Sequence, residues 1–335
     1  MRQSNLELLR IVSMMMVLVV HADGASLGLP EPSGDIGSLD SRDVWRLAVE
    51  AIAIIGVNCF TIISGYFGIR LRWRSIASFL LQCVFYAVLT QVVVGICRHG
   101  HISPADIGKS CLVLTHTDLW YVPAYFCLML LSPMLNAGLD SLSRRDYTVM
   151  LTLFVAFNLW CGWWWGGRFN PTGYTPVQLI LVYMLGRYIR LHIDVETLRL
   201  QRVQIAALYA MSVAAIFFTA ILLPSNQAFA YNSPAVLLAT VSFFALFLTF
   251  DFKSRLVNYA ARSSFAVYLI HKAPPVWTGF MKPAVRSLWC DLSLTRFTLA
   301  MLGLCVAIYL TAMLIDSLRR RLSDLILHGG ACRSR

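Results

Sequence analysis

Three ionisable residues, Glu7, Arg10 and His21, stand in an apolar run near the start of the chain, NLELLRIVSMMMVLVVH (Asn5 to His21). At 3.6 residues per turn, the eleven positions from Arg10 to His21 make about three full turns, so both side chains leave one helix face. Glu7, one turn before Arg10, falls near the same face. The rise from Arg10 to His21 is about 16 Å. A membrane helix of this sequence would present a charged pair at one mouth and an imidazole at or beyond mid-bilayer. Plainer readings exist. Glu7 and Arg10 could mark the inner interface, with Arg10 snorkelling, and His21 could cap the outer helix end beside Asp23. Ionisable groups within a span usually face an interior pathway or site, so this helix by itself argues for a polar cavity and no more.

A second group follows in GVNCFTIISGYFGIRLRWR (Gly56 to Arg74). Asn58 and Ser64 are polar positions in an apolar helix, and Gly65 permits close backbone approach. Asn58 could pin two helices through a hydrogen bond. Arg70, Arg72 and Arg74 could be plain topology signal or a phosphate grip, since guanidinium donors are planar and forked. Farther on, His271 and Lys272 precede Pro274 and Pro275. A structural hydrogen bond and a catalytic or acceptor-orienting role are equally open for His271. The double proline predicts a non-helical stretch lining a cavity, where such backbone is tolerated. Trp160, Trp163, Trp164 and Trp165 read as an interfacial belt or as a sugar-stacking surface. His99, His101, His116, His192 and His328 show no ligand spacing and take no role.

These residues need membrane helices to position them. The 335 residues are 58% hydrophobic and 13% charged, against about 25% charged in soluble domains. About 20 apolar residues cross a bilayer core. Ten spans are predicted near 6–22, 44–69, 75–97, 119–138, 147–165, 176–192, 203–223, 233–250, 263–282 and 295–317, an all-α integral membrane protein with a single domain over 1–335. Most lysines and arginines fall on one side, which predicts cytoplasmic N- and C-termini. The first run lacks a cleavage site and is not a signal peptide. The net charge of +11 lies in short clusters between spans, without the aromatic interleaving of a nucleic-acid surface, so no nucleic-acid partner is expected. Nine scattered cysteines form no C-x-x-C pair and no metal-ligand spacing; they read as packing residues, and no metal site is expected.

The ordered set resembles membrane-bound acyltransferase family 3, and within it the WecH-like surface-polysaccharide O-acetyltransferases. The first helix of that family carries an acidic residue, an Arg three later, then ten residues and a His, met by Glu7, Arg10 and His21. Its second-span signature is matched by Gly56, Val57, Phe60, Ser64, Gly65 and Tyr66, and the R-x-x-x-R pair by Arg70 and Arg74. LWYVPAYFCLMLLSP resembles a W-Y segment ending in Pro through Trp120, Tyr121 and Pro133. LVYMLGRYIRL resembles a Y-x-x-G-x segment, and SSFAVYLIH a late S-x-x-x-Y-x-x-H through Ser264, Tyr268 and His271. The likeness runs from residue 5 to about 272.

The resemblance implies acyl transfer from acyl-CoA, acetyl-CoA first, to a hydroxyl of a cell-surface or lipid-linked glycan in the bacterial inner membrane, among membrane lipids and without a permanently bound cofactor. A hydroxyl attacks well only when a base takes its proton. With an ordinary pKa of about 6.5, His21 suits that base, or less readily an acyl carrier. Glu7 and His271 would share the catalytic site. Arg10, Arg70 and Arg74 would hold the CoA phosphates, the pantetheine arm rising along the first helix. Asn58, Ser64, Tyr66, Trp120 and Tyr121 would contact substrate, the first three as possible oxyanion donors. The chain ends soon after its last predicted span, without the esterase-like domain of some family members, so transfer directly onto a glycan or lipid-linked sugar, or onto a separate partner, is expected. A transporter or flippase of a lipid-linked glycan is the competing reading, and a scaffold without chemistry the third.

Overall fold

A computed structural model describes residues 3–31, 39–97, 103–115, 118–165 and 169–329. His99, His101, His116 and Cys332 lie outside the described residues. The principal helices are α1 (Ser4–Val20), α2 (Ser41–Ala53), α3 (Gly56–Phe67), α4 (Trp73–Cys97), α5 (Tyr121–Ser141), α6 (Arg144–Asn158), α7 (Pro176–His192), α8 (Arg202–Leu222), α9 (Pro234–Leu248), α10 (Ser264–His271) and α11 (Leu294–Gly329). The fold is all-α. Among the described residues, seven continuous helical segments are long and apolar enough to cross a membrane: Ser4–Ala25, Ser41–Phe67, Trp73–Cys97, Tyr121–Ser141, Arg144–Trp164, Arg202–Leu222 and Leu294–Leu322. The chain is a multi-pass membrane protein.

The other three predicted spans are shorter or broken. α7 and α9 are bounded at their starts by Thr175-Pro176 and Ser233-Pro234, with proline at the first helical turn, where its missing N–H costs nothing. The 263–282 segment stops at His271. Ala273 is extended (φ −54°, ψ 130°) ahead of the double proline, as the residue before a proline prefers. A π-helical turn, Trp277–Met281, follows.

α3 is clamped from two sides by its glycines. A Cβ on Gly56 would lie 2.7 Å from the Ser13 carbonyl oxygen of α1. A Cβ on Gly65 would strike the Tyr183 carbonyl of α7, and one on Gly186 the Ile62 carbonyl of α3. α3 and α7 thus cross with backbones in contact, the close approach that small residues allow in membrane helices. Leu6 and Leu9 of α1 belong to the hydrophobic group formed with α2, α3, α7 and α9. Met14, Val17, Leu18 and Ala22 belong to a second group with α4, α10 and α11. α1 therefore runs along the seam between two packed groups. Leu81, Val93 and Ile96 of α4, and Leu299, Leu310 and Leu314 of α11, are exposed; in a membrane protein such rows face lipid.

Candidate active site

A cavity of about 460 Å³ opens along that seam, within the size range of small-molecule sites. From α1 it takes Glu7, Arg10, Met14, Val17 and His21. The steps of three, four, three and four residues keep one face turned inward for the length of the helix. Val57, Phe60 and Ser64 supply the α3 wall, and Phe265 and Tyr268 the α10 wall. Glu7 and Arg10 form a loose ion pair, Nε to carboxylate 3.9 Å. Glu7, Arg10 and His21 therefore share one cavity.

His21 ends the regular part of α1 and begins a π-helical turn, His21–Ala25, a feature often found at functional sites. Ser26 Oγ donates to the His21 carbonyl at 2.8 Å. The His21 ring faces His271 at the end of α10, with Nδ1 of His21 2.8 Å from Nε2 of His271. The Nδ1 of His271 lies 2.6 Å from the Val267 carbonyl. A carbonyl only accepts, so His271 Nδ1 carries the hydrogen and donates it. In a neutral ring Nε2 then holds a lone pair, which accepts from His21 Nδ1–H. The Nε2 of His21 is left as the basic nitrogen. Trp277 meets the His21 ring edge-on, centroids 5.8 Å apart. Asp23 does not hold His21; its Oδ1 accepts from Arg46 Nε at 2.8 Å, and both side chains are buried.

The other expected residues divide. Trp120, Tyr121 and Ser64 line the cavity. Tyr121 stacks on Tyr125, centroids 5.4 Å apart, and Ser64 Oγ lies 3.3 Å from Tyr125 Oη. α3 runs antiparallel to α1, since Gly56 meets Ser13 while the Tyr66 ring packs on Phe244 and Asn5 bonds the Phe247 carbonyl. Ser64 is thus about 12 Å along α3 from Gly56, at the Arg10 end and remote from His21. Asn58 is fully buried and donates to the Tyr231 carbonyl at 3.0 Å. Gln178 donates to the same oxygen at 2.8 Å. Asn58 pins the Tyr231 segment and does not line the cavity. Tyr66 is buried against Phe244, its hydroxyl accepting from Arg190 at 3.3 Å. Arg70 and Arg74 are exposed and are absent from the cavity wall. Two cations that sequence reasoning passes over are present there, Arg262 and Arg320, with Tyr125, Tyr231 and Tyr268. By sequence both arginines read as topology signal, and only the tertiary fold distinguishes them from the rest.

A family model described as "Acyltransferase domain" matches residues 3–316. The chain belongs to this acyltransferase family. No curated protein and no solved structure matches it. Membership makes the protein an acyltransferase of the membrane and implies an acyl-CoA donor, which decides against the transporter and scaffold readings. The cavity of this acyltransferase suits such a donor in kind: cations gather at one end, aromatic walls flank the middle, and a basic nitrogen stands at the other end.

Proposed function

We propose that this acyltransferase transfers an acyl group, acetyl first, from acyl-CoA to a hydroxyl of a cell-surface or lipid-linked glycan, in the manner of the WecH-like enzymes. Its place is the bacterial cytoplasmic membrane, with ten passes in one domain over 1–335 and both termini in the cytoplasm. The observation that carries the reading is one cavity with His21 and Arg10 on its wall, the His21 ring being braced from behind by His271, which is buried and not part of that wall. The donor's phosphates sit at the Arg10 end. Its arm follows α1 for about 16 Å and brings the thioester to His21.

In the transfer, His21 Nε2 takes the acceptor proton as the hydroxyl oxygen bonds to the thioester carbon. The tetrahedral intermediate collapses with cleavage of the C–S bond, and the proton on Nε2 passes to the departing CoA sulfur. No net proton remains on the enzyme. His271 does not touch the acceptor. It accepts His21 Nδ1–H, which fixes the ring's tautomer and direction and steadies the imidazolium that forms. Ser64 stands at the donor's phosphate end, too far along α3 to serve an oxyanion at His21; its place suits contact with the arm. Trp120 and Tyr121 offer aromatic faces to substrate, while Glu7 holds Arg10 at the mouth.

Mass spectrometry of surface glycans tests the reading in cells carrying the intact gene, no gene, or the His21→Ala form. Acetyl mass increments should appear only with the intact gene. Equal acetylation in all three removes the proposal.

A further inference from the structure

The charged end of the cavity is better furnished than Arg10 alone. Arg320, on α11, lines it together with Arg262, which lies in the short turn Ala261–Ser263 just before α10. Arg320 is fixed from behind. Its Nη1 donates to Ser263 Oγ at 2.9 Å and pairs with Asp316. Asp316 is fully buried and also accepts from Tyr86 Oη at 2.7 Å, Arg319 Nε at 2.9 Å and Ser263 Oγ at 2.9 Å. Both carboxylate oxygens are thereby occupied. The Nη2 of Arg320 is buried and has no hydrogen-bond partner among the described residues. A buried guanidinium N–H without an acceptor costs stability unless something supplies one. The cavity wall carries Arg10, Arg262 and Arg320 against the single acid Glu7, so an anion is the missing partner.

The spacing repeats the logic of α1. On α1, Arg10 precedes His21 by eleven residues. On the stretch of chain that ends in α10, Arg262 precedes His271 by nine, a rise of about 13 Å. The two histidines meet at 2.8 Å, and the two arginines line the far end of the same cavity. Two stretches of chain thus each carry an arginine nine to eleven residues before one of the paired histidines.

We infer that Arg262 and Arg320, with Arg10, form the anion site that takes the diphosphate and phosphomonoester of the acyl donor, in place of Arg70 and Arg74. This rests on the acyl-CoA reading above. Forked guanidinium donors suit phosphate oxygens, and a phosphomonoester carries nearly two negative charges. Asp316 serves as the positioning residue for Arg320.

Two donors separate the nucleotide end from the rest: acetyl-CoA, and S-acetyl-pantetheine, which has the thioester arm without phosphates or nucleotide. Purified protein in detergent is assayed with each. Arg262→Gln and Arg320→Gln should each raise the apparent KM for acetyl-CoA at least about tenfold, the scale of a charged hydrogen bond. With S-acetyl-pantetheine their kinetics should stay within about twofold of the intact protein. Arg70→Gln and Arg74→Gln should leave both donors unchanged. Arg320→Gln also frees one side of Asp316, so Arg262→Gln, at an exposed position, is the deciding variant if the other does not fold. Equal losses with both donors overturn the inference, as does selective loss of acetyl-CoA in the Arg70 and Arg74 variants alone. Failure of the intact protein to use either donor overturns it together with the reading it rests on.

Discussion

His21 and His271 lie 250 positions apart in the chain and meet nitrogen to nitrogen at 2.8 Å. The contact has a direction. Val267 obliges His271 to donate from Nδ1, His271 therefore accepts at Nε2, and His21 must present Nε2 as a base. A backbone carbonyl thus sets the chemistry of a ring two residues removed in the hydrogen-bond chain.

Removal of the base should stop the reaction without emptying the site. His21→Ala is expected to lower kcat by about 10²–10⁴-fold, the usual worth of a positioned general base. Acetyl-CoA should still raise the thermal unfolding temperature of the variant, because a ligand that binds the folded state stabilises it by mass action. Loss of both turnover and that stabilisation would make His21 a binding residue instead.

A different signature belongs to His271. As a positioning residue it acts through His21, so His271→Ala should reduce kcat by about 10–100-fold while the KM for acetyl-CoA stays close to that of the intact enzyme. His271→Gln keeps an amide oxygen that can accept from His21 Nδ1–H and should recover part of the loss. A merely structural histidine would show no such rescue, and both variants would lose folded protein alike.

The α1 stripe was legible because a helix repeats every 3.6 residues and its polar members are few, so Glu7, Arg10 and His21 could be placed on one face from spacing alone. The double proline marked a break after His271, but the expected non-helical stretch is confined to residues 272–273, because Pro274 and Pro275 form the first turn of the next helix, where proline is tolerated. His271 came to the same site only through the resemblance, since no local rule connects residues 250 apart, and its direct contact with His21 is seen only in the fold. Arg262 and Arg320 look like any other basic residue near a helix end. Arg70 and Arg74 draw notice through a resemblance, yet the turn of the chain after Gly68 leaves them exposed. Asn58 illustrates the reverse case: a polar residue in an apolar helix proves to be a pin for the Tyr231 carbonyl, which only the fold brings within reach. The predicted span 176–192 is reproduced as Pro176–His192, the span 233–250 is trimmed to Pro234–Leu248, and the span 263–282 is broken after His271, because hydropathy measures apolar length and does not see a local break.

The α3–α7 crossing gives a stability prediction independent of catalysis. Gly65→Ala and Gly186→Ala each add a methyl group against a backbone carbonyl of the facing helix, and backbone cannot step aside as a flexible side chain can. Each should destabilise by about 1–3 kcal/mol, the cost of overpacking, or more if the crossing opens. Gly303 in α11 has open space around the same position, so Gly303→Ala should be neutral or slightly stabilising through helix propensity. Thermal unfolding in detergent compares the three; an unperturbed Gly186→Ala would contradict the backbone contact.

The Arg46–Asp23 pair supports the site from beyond His21. Asp23 stands two residues after His21 in the π-helical turn, fully buried, and Arg46 reaches it from α2 while also donating to the Gly28 carbonyl. Burial of such a pair is only weak evidence for stability, because desolvation offsets much of the attraction. Removal of one partner is another matter, since it strands the other charge away from water. Arg46→Met should therefore cost about 3–5 kcal/mol, and the double variant Asp23→Asn/Arg46→Met should cost less than Arg46→Met alone. Turnover supplies the second readout. With Asp23 unpaired the turn that carries His21 loses its tether to α2, so residual folded Arg46→Met should show reduced kcat, restored in part by the double variant. A double variant as unstable as the single one would mean that Arg46 acts through packing and its bond to Gly28 rather than through Asp23.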